Sequence, residues 1–414
     1  MKKILLIFLT VLLFASCKKS VEITVVNRLN LDRNNEMVQF CLCSVEQKLG
    51  LTEDKKIIIL NADNKQVPYQ ILSDGKMVIF PAQVAANDSA IYRVMVGEPD
   101  SFTVKTFARQ VPERKDDFAW ENDRIAFRMY GPALAPENPS NGVDIWLKRT
   151  EELIVNKFYK DDLEKGIHYH VDNGQGIDCY KVAHTLGAGG VAPYTDSTLW
   201  VGGYYNSCKV LESGALRTKF VLNYDSLTIG FTPDMAKNTK CMLPKTPYHK
   251  IKASLTITLD AGSQLNRAEV VYEGNNVDKM PVAAGFYLHQ FGNSNGKDVP
   301  VTEQQTATDQ EKGYIALAED AVSDALVPSG RNYLGVVIPS GISQIKVDKG
   351  IACAAPSDEH LIAVSDYHAG SPFVYYFGGA WSKWGFANDQ DWFDYMEQTA
   401  QKLRSPLEVK VQKQ

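Results

Sequence analysis

The stretch from Gly166 to Gly190, GIHYHVDNGQGIDCYKVAHTLGAGG, holds three of the chain's seven histidines, His168, His170 and His184, beside Asp172, Asp178, Tyr169, Tyr180 and Lys181. No other stretch is as dense in groups that titrate or donate protons. Imidazole needs little adjustment to act as a base near neutrality, which is what removal of a weakly acidic carbon-bound proton demands. Alternate side chains of an extended strand share a face, so His168 and His170 are expected to point the same way. After a turn at Asn173-Gly174-Gln175-Gly176, Asp178, Tyr180 and His184 can share a face as well. The spacing predicts a hairpin presenting titratable groups from both arms, although a solvated polar face of an ordinary hairpin has the same spacing.

Elimination next to a carboxylate needs three functions: a base, a cation or donor that holds the developing enolate, and an acid for the departing oxygen. His168 or His170 suits the base, and Tyr180 or His289 the acid. Arg128 or Lys181 suits the carboxylate, Arg128 because a guanidinium fork matches it bidentately; more often such an arginine is an ion-pair partner. Strand alternation sets Lys181 opposite Tyr180, so both join one site only through a bulge or a strand end. Trp381 and Trp384, bracketed by glycines in Gly378-Gly379-Ala380-Trp381-Ser382-Lys383-Trp384-Gly385, are candidates for stacking on a sugar face. His249, between Lys245 and Lys250 in a proline-flanked loop, could rim the same cleft, as could His184.

Other chemistries find little support. Gly187-Ala188-Gly189-Gly190 lacks the lysine-serine pair of a phosphate loop and reads as a tight turn, and no serine sits in a nucleophile elbow. Asp172 to Asp178 offers oxygen ligands at alternating positions without the terminal glutamate of a calcium loop, so a structural Ca2+ is the one cofactor left open. Net charge is -5 with 22% charged residues, which gives no basic field for nucleic acid.

Lys2-Lys3, the apolar run Ile4 to Phe14 and the small pair Ala15-Ser16 precede Cys17. The run is too short to span a bilayer, and the pattern resembles a bacterial lipoprotein signal in which Cys17 becomes the lipidated first residue. Phe14 departs from the aliphatic residue usual at its position. The expected location is a periplasmic or cell-surface lipoprotein of the outer membrane, and Lys18-Lys19-Ser20, without an acidic cluster, favours the periplasm. Cys41, Cys43, Cys179, Cys208, Cys241 and Cys353 remain; they are scattered and are expected to be mostly buried free thiols. Cys41-Leu42-Cys43 lacks the spacing of a metal knuckle.

The positioning elements are strands. Short alternating runs from Val21 to Val104, among them Met37 to Val45, predict a small β-sandwich over 20–105. A charged connector from Asp100 to Asp117 follows. Ten or so strands over 106–414 then predict a large antiparallel sheet assembly with two helices, one near Glu151 to Leu163 and one capped by Asn388 and stopped at Ser405-Pro406. The fold class is all-β: a small N-terminal β-sandwich, residues 1–17 being the signal and lipidation site, followed by a large super-sandwich with few helices.

Trp120-Glu121-Asn122-Asp123-Arg124-Ile125-Ala126-Phe127-Arg128, then Tyr130-Gly131-Pro132, Gly142-Val143-Asp144-Ile145-Trp146 and His168 through Gly190, resemble the Bacteroidota family catalogued as domain of unknown function 4861. The resemblance covers nearly all of the mature chain. It implies carbohydrate-utilisation loci, fusion to unsaturated-glucuronyl hydrolase modules in some members, and uronate dehydratase activity in at least one branch. By fold analogy the second domain is expected to be mutarotase-like. Three functions follow in competition: β-elimination on an acidic, uronate-containing oligosaccharide; glycan binding without turnover; and an aldose epimerase-like reaction.

Overall fold

The computed structural model describes residues 19–52, 55–137, 140–231, 246–289, 291–294, 297–300, 303–322, 328–349 and 359–412. Cys17, Lys245, Cys241 and Cys353 lie outside the described residues.

The small domain forms because its strands alternate. In Ser20–Val26, Val21, Ile23 and Val25 are buried while their neighbours are not, and this strand pairs antiparallel with Ser89–Val96. A second sheet of Arg33–Cys41, Met77–Val84 and Gln70–Ile71 closes over it, with Phe40, Phe80 and Tyr92 in the shared core. Two expectations are corrected here. The predicted strand Met37 to Val45 ends at Cys41, and Cys43–Leu49 is a short helix, α1, that buries Val45 and Leu49 one turn apart and ends in left-handed Gly50. Cys41 and Cys43 are not free thiols but a disulfide across that strand-to-helix turn, whereas Cys179 and Cys208 are free.

The chain closes on its own beginning. Glu408–Val411 pairs with Ser20–Val26 in the register Ile23 to Val411, so the last strand of the expected 106–414 domain belongs to the first sheet. Arg33, fully buried, donates to the carbonyls of Ser405 (2.9 Å) and Lys402 (3.3 Å) at the end of the C-terminal helix, which ties the two parts together.

The large domain is a super-sandwich, as the strand count predicts. An eight-stranded antiparallel sheet runs in the order Ser207–Ser213, Arg217–Ile229, His249–Asp260, Leu265–Gly274, Phe373–Trp381, Pro328–Val337, Tyr314–Val322 and Gln304–Asp309. Its inner face packs on two five-stranded sheets through one continuous core that includes Phe127, Ile145, Phe220, Ile257, Phe286 and Phe377. One of these sheets carries Thr106–Val111, Asp117–Asn122, Ile125–Met129, Val143–Lys148 and Gly176–Asp178; the other carries Ala188–Thr195, Lys279–Tyr287 and His360–His368. A parallel bridge between Val143 and Gly187 joins them at their edges.

Both predicted helices form. Helix α2, Val155–Lys165, covers the outer face of the first five-stranded sheet with Val155, Phe158 and Tyr159. Its first turn has no side-chain cap of its own; instead Glu121 on the sheet below accepts from the backbone amides of Ile154 (2.8 Å) and Val155 (2.7 Å). Helix α3, Asp389–Arg404, follows the capping rule directly: the Asn388 side chain accepts from Asp391 N at 3.0 Å, and Trp392, Met396 and Ala400 repeat every four residues into the eight-stranded sheet.

Candidate functional site

The predicted hairpin does not form. Residues 166–175 are a loop running back from the end of α2, only Gly176–Asp178 joins the sheet as an edge strand beside Val143–Lys148, and Ala188–Thr195 enters the neighbouring sheet. Helix geometry explains the difference: Gly166, left-handed, ends α2 and sends the chain across the sheet face rather than along an edge. His168 and His170 therefore do not act as a pair on one strand. His168 is exposed, with Nδ1 2.8 Å from Asp162 on α2. His170 turns inward.

His170 reaches a buried charge cluster that the helix roofs over. On the strand Ile125–Met129, Ile125 and Phe127 face the inter-sheet core, so Ala126 and Arg128 face α2. Arg128 is 3% exposed; its Nε and Nη2 reach Asp144 at 2.8 and 2.6 Å, and Nη2 reaches Asp178 at 2.9 Å. The Tyr130, Trp146 and Tyr169 rings surround the guanidinium, and Asp117 lies 3.8 Å away. An arginine so enclosed has no fork left for a ligand. It stands here as an ion-pair partner, and not as the carboxylate clamp expected of it.

The cluster holds more acid than base. Burial, and then the neighbouring Asp178, raise the Asp144 pKa to about 7 even though Arg128 pulls the other way. Burial raises Asp117 as well. Burial alone would lower Arg128, but Tyr130 and the carboxylates hold it well above its ordinary value, so it stays a cation.

At the rim of this cluster stands His170, with a side chain 37% exposed. Its Nδ1 lies 3.1 Å from the Asp178 backbone carbonyl and 3.4 Å from the Asp178 carboxylate. A carbonyl only accepts, so Nδ1 carries the proton and a neutral ring has its lone pair on Nε2. The loop that presents His170 is clamped. Asp172 accepts from Arg149 (3.0 Å), Lys383 (2.9 Å) and Gly174 N (3.0 Å). Those contacts use the oxygens that a calcium ion would need, and among the described residues no group of three His, Cys, Asp or Glu could hold a metal.

A second buried pair lies beyond the Asp178–Lys181 segment. His289, 6% exposed, has Nδ1 2.8 Å from Glu319 and Nε2 2.7 Å from the Lys181 carbonyl. The Lys181 carbonyl only accepts, and an ionised Glu319 only accepts as well, so with Glu319 ionised His289 is an imidazolium. Burial would lower its pKa, but Glu319 and the Lys181 carbonyl raise it. Tyr180, 3% exposed, gives its hydroxyl proton to the carbonyls of Gly187 and Tyr287, both at 3.0 Å, and burial followed by Glu319 pushes its pKa well up. The protons of both expected acids are thus committed inside the protein. Burial, then Asp178, raises the Cys179 thiol well above its usual value, so it is no nucleophile.

The remaining candidates scatter. Lys181 and His184 are exposed, Lys181 on the same short segment as Asp178. His249 opens the strand His249–Asp260, with Nδ1 2.8 Å from the Pro247 carbonyl and Ile229 opposite in register. Trp381 is not offered to a ligand: it is 1% exposed, donates to the Ser329 carbonyl at 2.6 Å and lies under Arg149 and Lys383. Trp384 is half-buried with the Arg124 guanidinium 5.0 Å from its ring centre. Sequence reasoning missed Arg149, Lys383 and Glu319, whose partners lie 23, 211 and 30 residues away.

A curated relative, Uncharacterized protein P7 of Formosa agariphila, is 26% identical over 97% of this chain and 96% of its own length. Among solved structures, a glycosyl hydrolase family 38 protein from Enterococcus faecalis has a TM-score of 0.47 at 8% identity over 95% of this chain. An alpha-mannosidase from Enterococcus faecalis V583 has a TM-score of 0.49 at 8% identity over the same share. This chain spans about half the length of either, 47% and 46%. A family model matches residues 25–409, and the chain belongs to that family, the one described as Domain of unknown function (DUF4861).

Proposed function

We propose that this chain is a carbohydrate-active enzyme of acidic oligosaccharides, and that it acts by β-elimination at a non-reducing-end uronate. One observation carries the reading. Of the two expected bases, His170 is the half-buried one at the charge cluster, with Nδ1–H held at the Asp178 carbonyl. Cations stand on neighbouring segments, Lys181 exposed three residues beyond Asp178 and Lys383 on the clamp of Asp172. In this reading the uronate carboxylate lies against those ammonium groups, and Nε2 of His170 removes the proton alpha to it. The bond to the departing oxygen breaks, the ring double bond forms, and the imidazolium returns the proton to that oxygen on the same face. Tyr180 and His289 then support the segment and do not transfer protons. Binding without turnover has less behind it, because Trp381 is packed under Arg149 and Lys383.

The test is incubation with uronate-capped oligosaccharides, following the ultraviolet absorbance of the new unsaturated uronate. His170→Ala is expected to lower turnover at least about a hundredfold, the scale of losing a general base. Unchanged turnover in that variant removes His170 from the mechanism; absence of any product with the parent protein across a substrate panel removes the elimination. We further propose tethering of the mature protein through acylated Cys17, on the periplasmic side of the outer membrane. Palmitate labelling of Cys17→Ser would contradict the tether.

A further inference from the structure

His170 is reached by a carboxylate that is itself held in place. Asp178 Oδ2 stands 3.4 Å from His170 Nδ1 and 2.9 Å from Arg128 Nη2, while the Asp178 amide donates to the Tyr169 carbonyl at 2.9 Å. The side chain therefore cannot swing away from the imidazole without leaving its guanidinium, and the His170 ring rests 4.6 Å from that of Tyr169. Arg128 in turn is fixed by Asp144, whose other oxygen accepts from Ile145 N at 2.9 Å and whose Oδ2 also accepts from the Trp146 indole at 3.1 Å.

We propose that Asp178 is a positioning residue for His170, and that the buried Arg128–Asp144–Asp178 group sets how strongly that imidazole holds a proton. A carboxylate beside Nδ1–H favours the imidazolium that forms when Nε2 takes a proton. Arg128 opposes this by drawing on the same carboxylate. The other groups facing the cluster are Asp117 at 3.8 Å from Arg128, Arg114 bonded to the Tyr169 hydroxyl, Tyr130 on the guanidinium face, and Tyr159 from α2, whose hydroxyl reaches Asp117. Asp172, two residues on, is neutralised by Arg149 and Lys383, and His168 faces Asp162 instead. Asp178 contacts the His170 ring with its charge. For its consequence in turnover the inference rests on the reading of His170 as base; the coupling itself does not.

Two signals fix the tautomer here, the backbone carbonyl and the carboxylate of one residue. Replacing Asp178 by Asn removes the charge and leaves the carbonyl. The ring should keep Nδ1–H and lose only proton affinity, so the effect is smaller than where a carboxylate alone sets the tautomer.

The experiment is an NMR titration of the full chain with nitrogen-labelled histidine, His170 being assigned from the His170→Gln spectrum. In the parent protein the neutral ring is expected as the Nδ1–H form. In Asp178→Asn the His170 midpoint should fall by about one pH unit, the scale of removing an opposite charge within contact distance. A neutral parent ring protonated on Nε2, or an Asp178→Asn shift under about half a unit, overturns the proposal. If Asp178→Asn does not fold, the parent tautomer and the shift in Asp178→Ser, which also removes the charge, decide it, no downward shift in Asp178→Ser being the negative result. Turnover is measured separately. If His170→Ala keeps full turnover while the midpoint still shifts, the elimination reading fails and the coupling stands. If both readings hold, Asp178→Asn lowers kcat about tenfold and moves the acidic limb of kcat/KM down by the NMR shift.

Discussion

Replacing His289 by Leu tests whether the second buried pair is an ionised one. The change removes two short bonds, 2.8 Å to Glu319 and 2.7 Å to the Lys181 carbonyl. Glu319, 2% exposed, is left with Gln304 at 3.2 Å and Asn332 at 3.3 Å as its side-chain partners among the described residues. Stranding one member of a buried pair costs about 3–5 kcal/mol. The double variant His289→Leu, Glu319→Leu removes both charges and should recover about half of that, leaving chiefly the orphaned Lys181 carbonyl. The pH dependence has a definite sign. The folded-state pKa of His289 is raised above 6.5, so its contribution is fully present below 6.5 and is lost as pH rises through the folded value. Urea unfolding of parent and variant, followed by two probes, should show a stability gap that narrows above pH 6.5. A loss below about 1 kcal/mol, or a gap that widens above that pH, would refute the imidazolium assignment.

Gly187→Ala should cost more than about 3 kcal/mol or prevent accumulation of folded protein, because a methyl group there would stand 2.1 Å from Val143 O at a φ of +65°. Thermal melting checks it, and a shift of only a degree or two would show that the edge joint between the sheets can open. Asp144→Asn should flatten the acid-to-neutral stability profile. The folded Asp144 holds its proton up to about 7 against 3.8 unfolded, so its ionisation weakens the fold as pH rises across that interval. Over these ~3 units the parent should lose at most about 4 kcal/mol more than the variant. Parallel urea midpoints for the two proteins across the interval would exclude it.

The architecture was legible because strand alternation and turn residues are local signals. Ser20–Val26 and Arg217–Ile229 alternate as they stand in the sequence, and α3 declares itself through Asn388 and the spacing of Trp392, Met396 and Ala400. Helix α1 was hidden because Val45 and Leu49 also fit the end of an apolar strand, and the Cys41–Cys43 link because adjacent cysteines read equally well as thiols. The site was legible only in part. His170 and Asp178 fall in the densest stretch, but the face they share with Arg128 is closed by α2, and a helix crossing over a sheet leaves no local mark in either sequence. The motif Trp120 to Asp123, which carries part of the family resemblance, is architecture. Trp120 donates to Asn266, Glu121 caps α2 and pairs with Lys148, Asn122 accepts from the amides of Arg124 and Ile125, and Asp123 accepts from Gly262 N and Lys105.

Two buried ionic groups on either side of four residues need a reason beyond stability, since apolar side chains of similar volume commonly serve a core as well or better. Their geometry supplies one. The Asp178 carbonyl receives His170, the Lys181 carbonyl receives His289, and the Tyr180 hydroxyl between them bonds the carbonyls of Gly187 and Tyr287. Arg128 grips the first residue of the segment and the His289–Glu319 pair the last. Apolar contacts would fill the same space but fix no atom's direction, whereas each of these bonds is directional and fails when its partner rotates. The segment is thereby fixed at both ends and in the middle, with His170 bonded to its first residue. A loosened second pair would then reach the first through this backbone, so His289→Leu should disturb the histidine signal of His170.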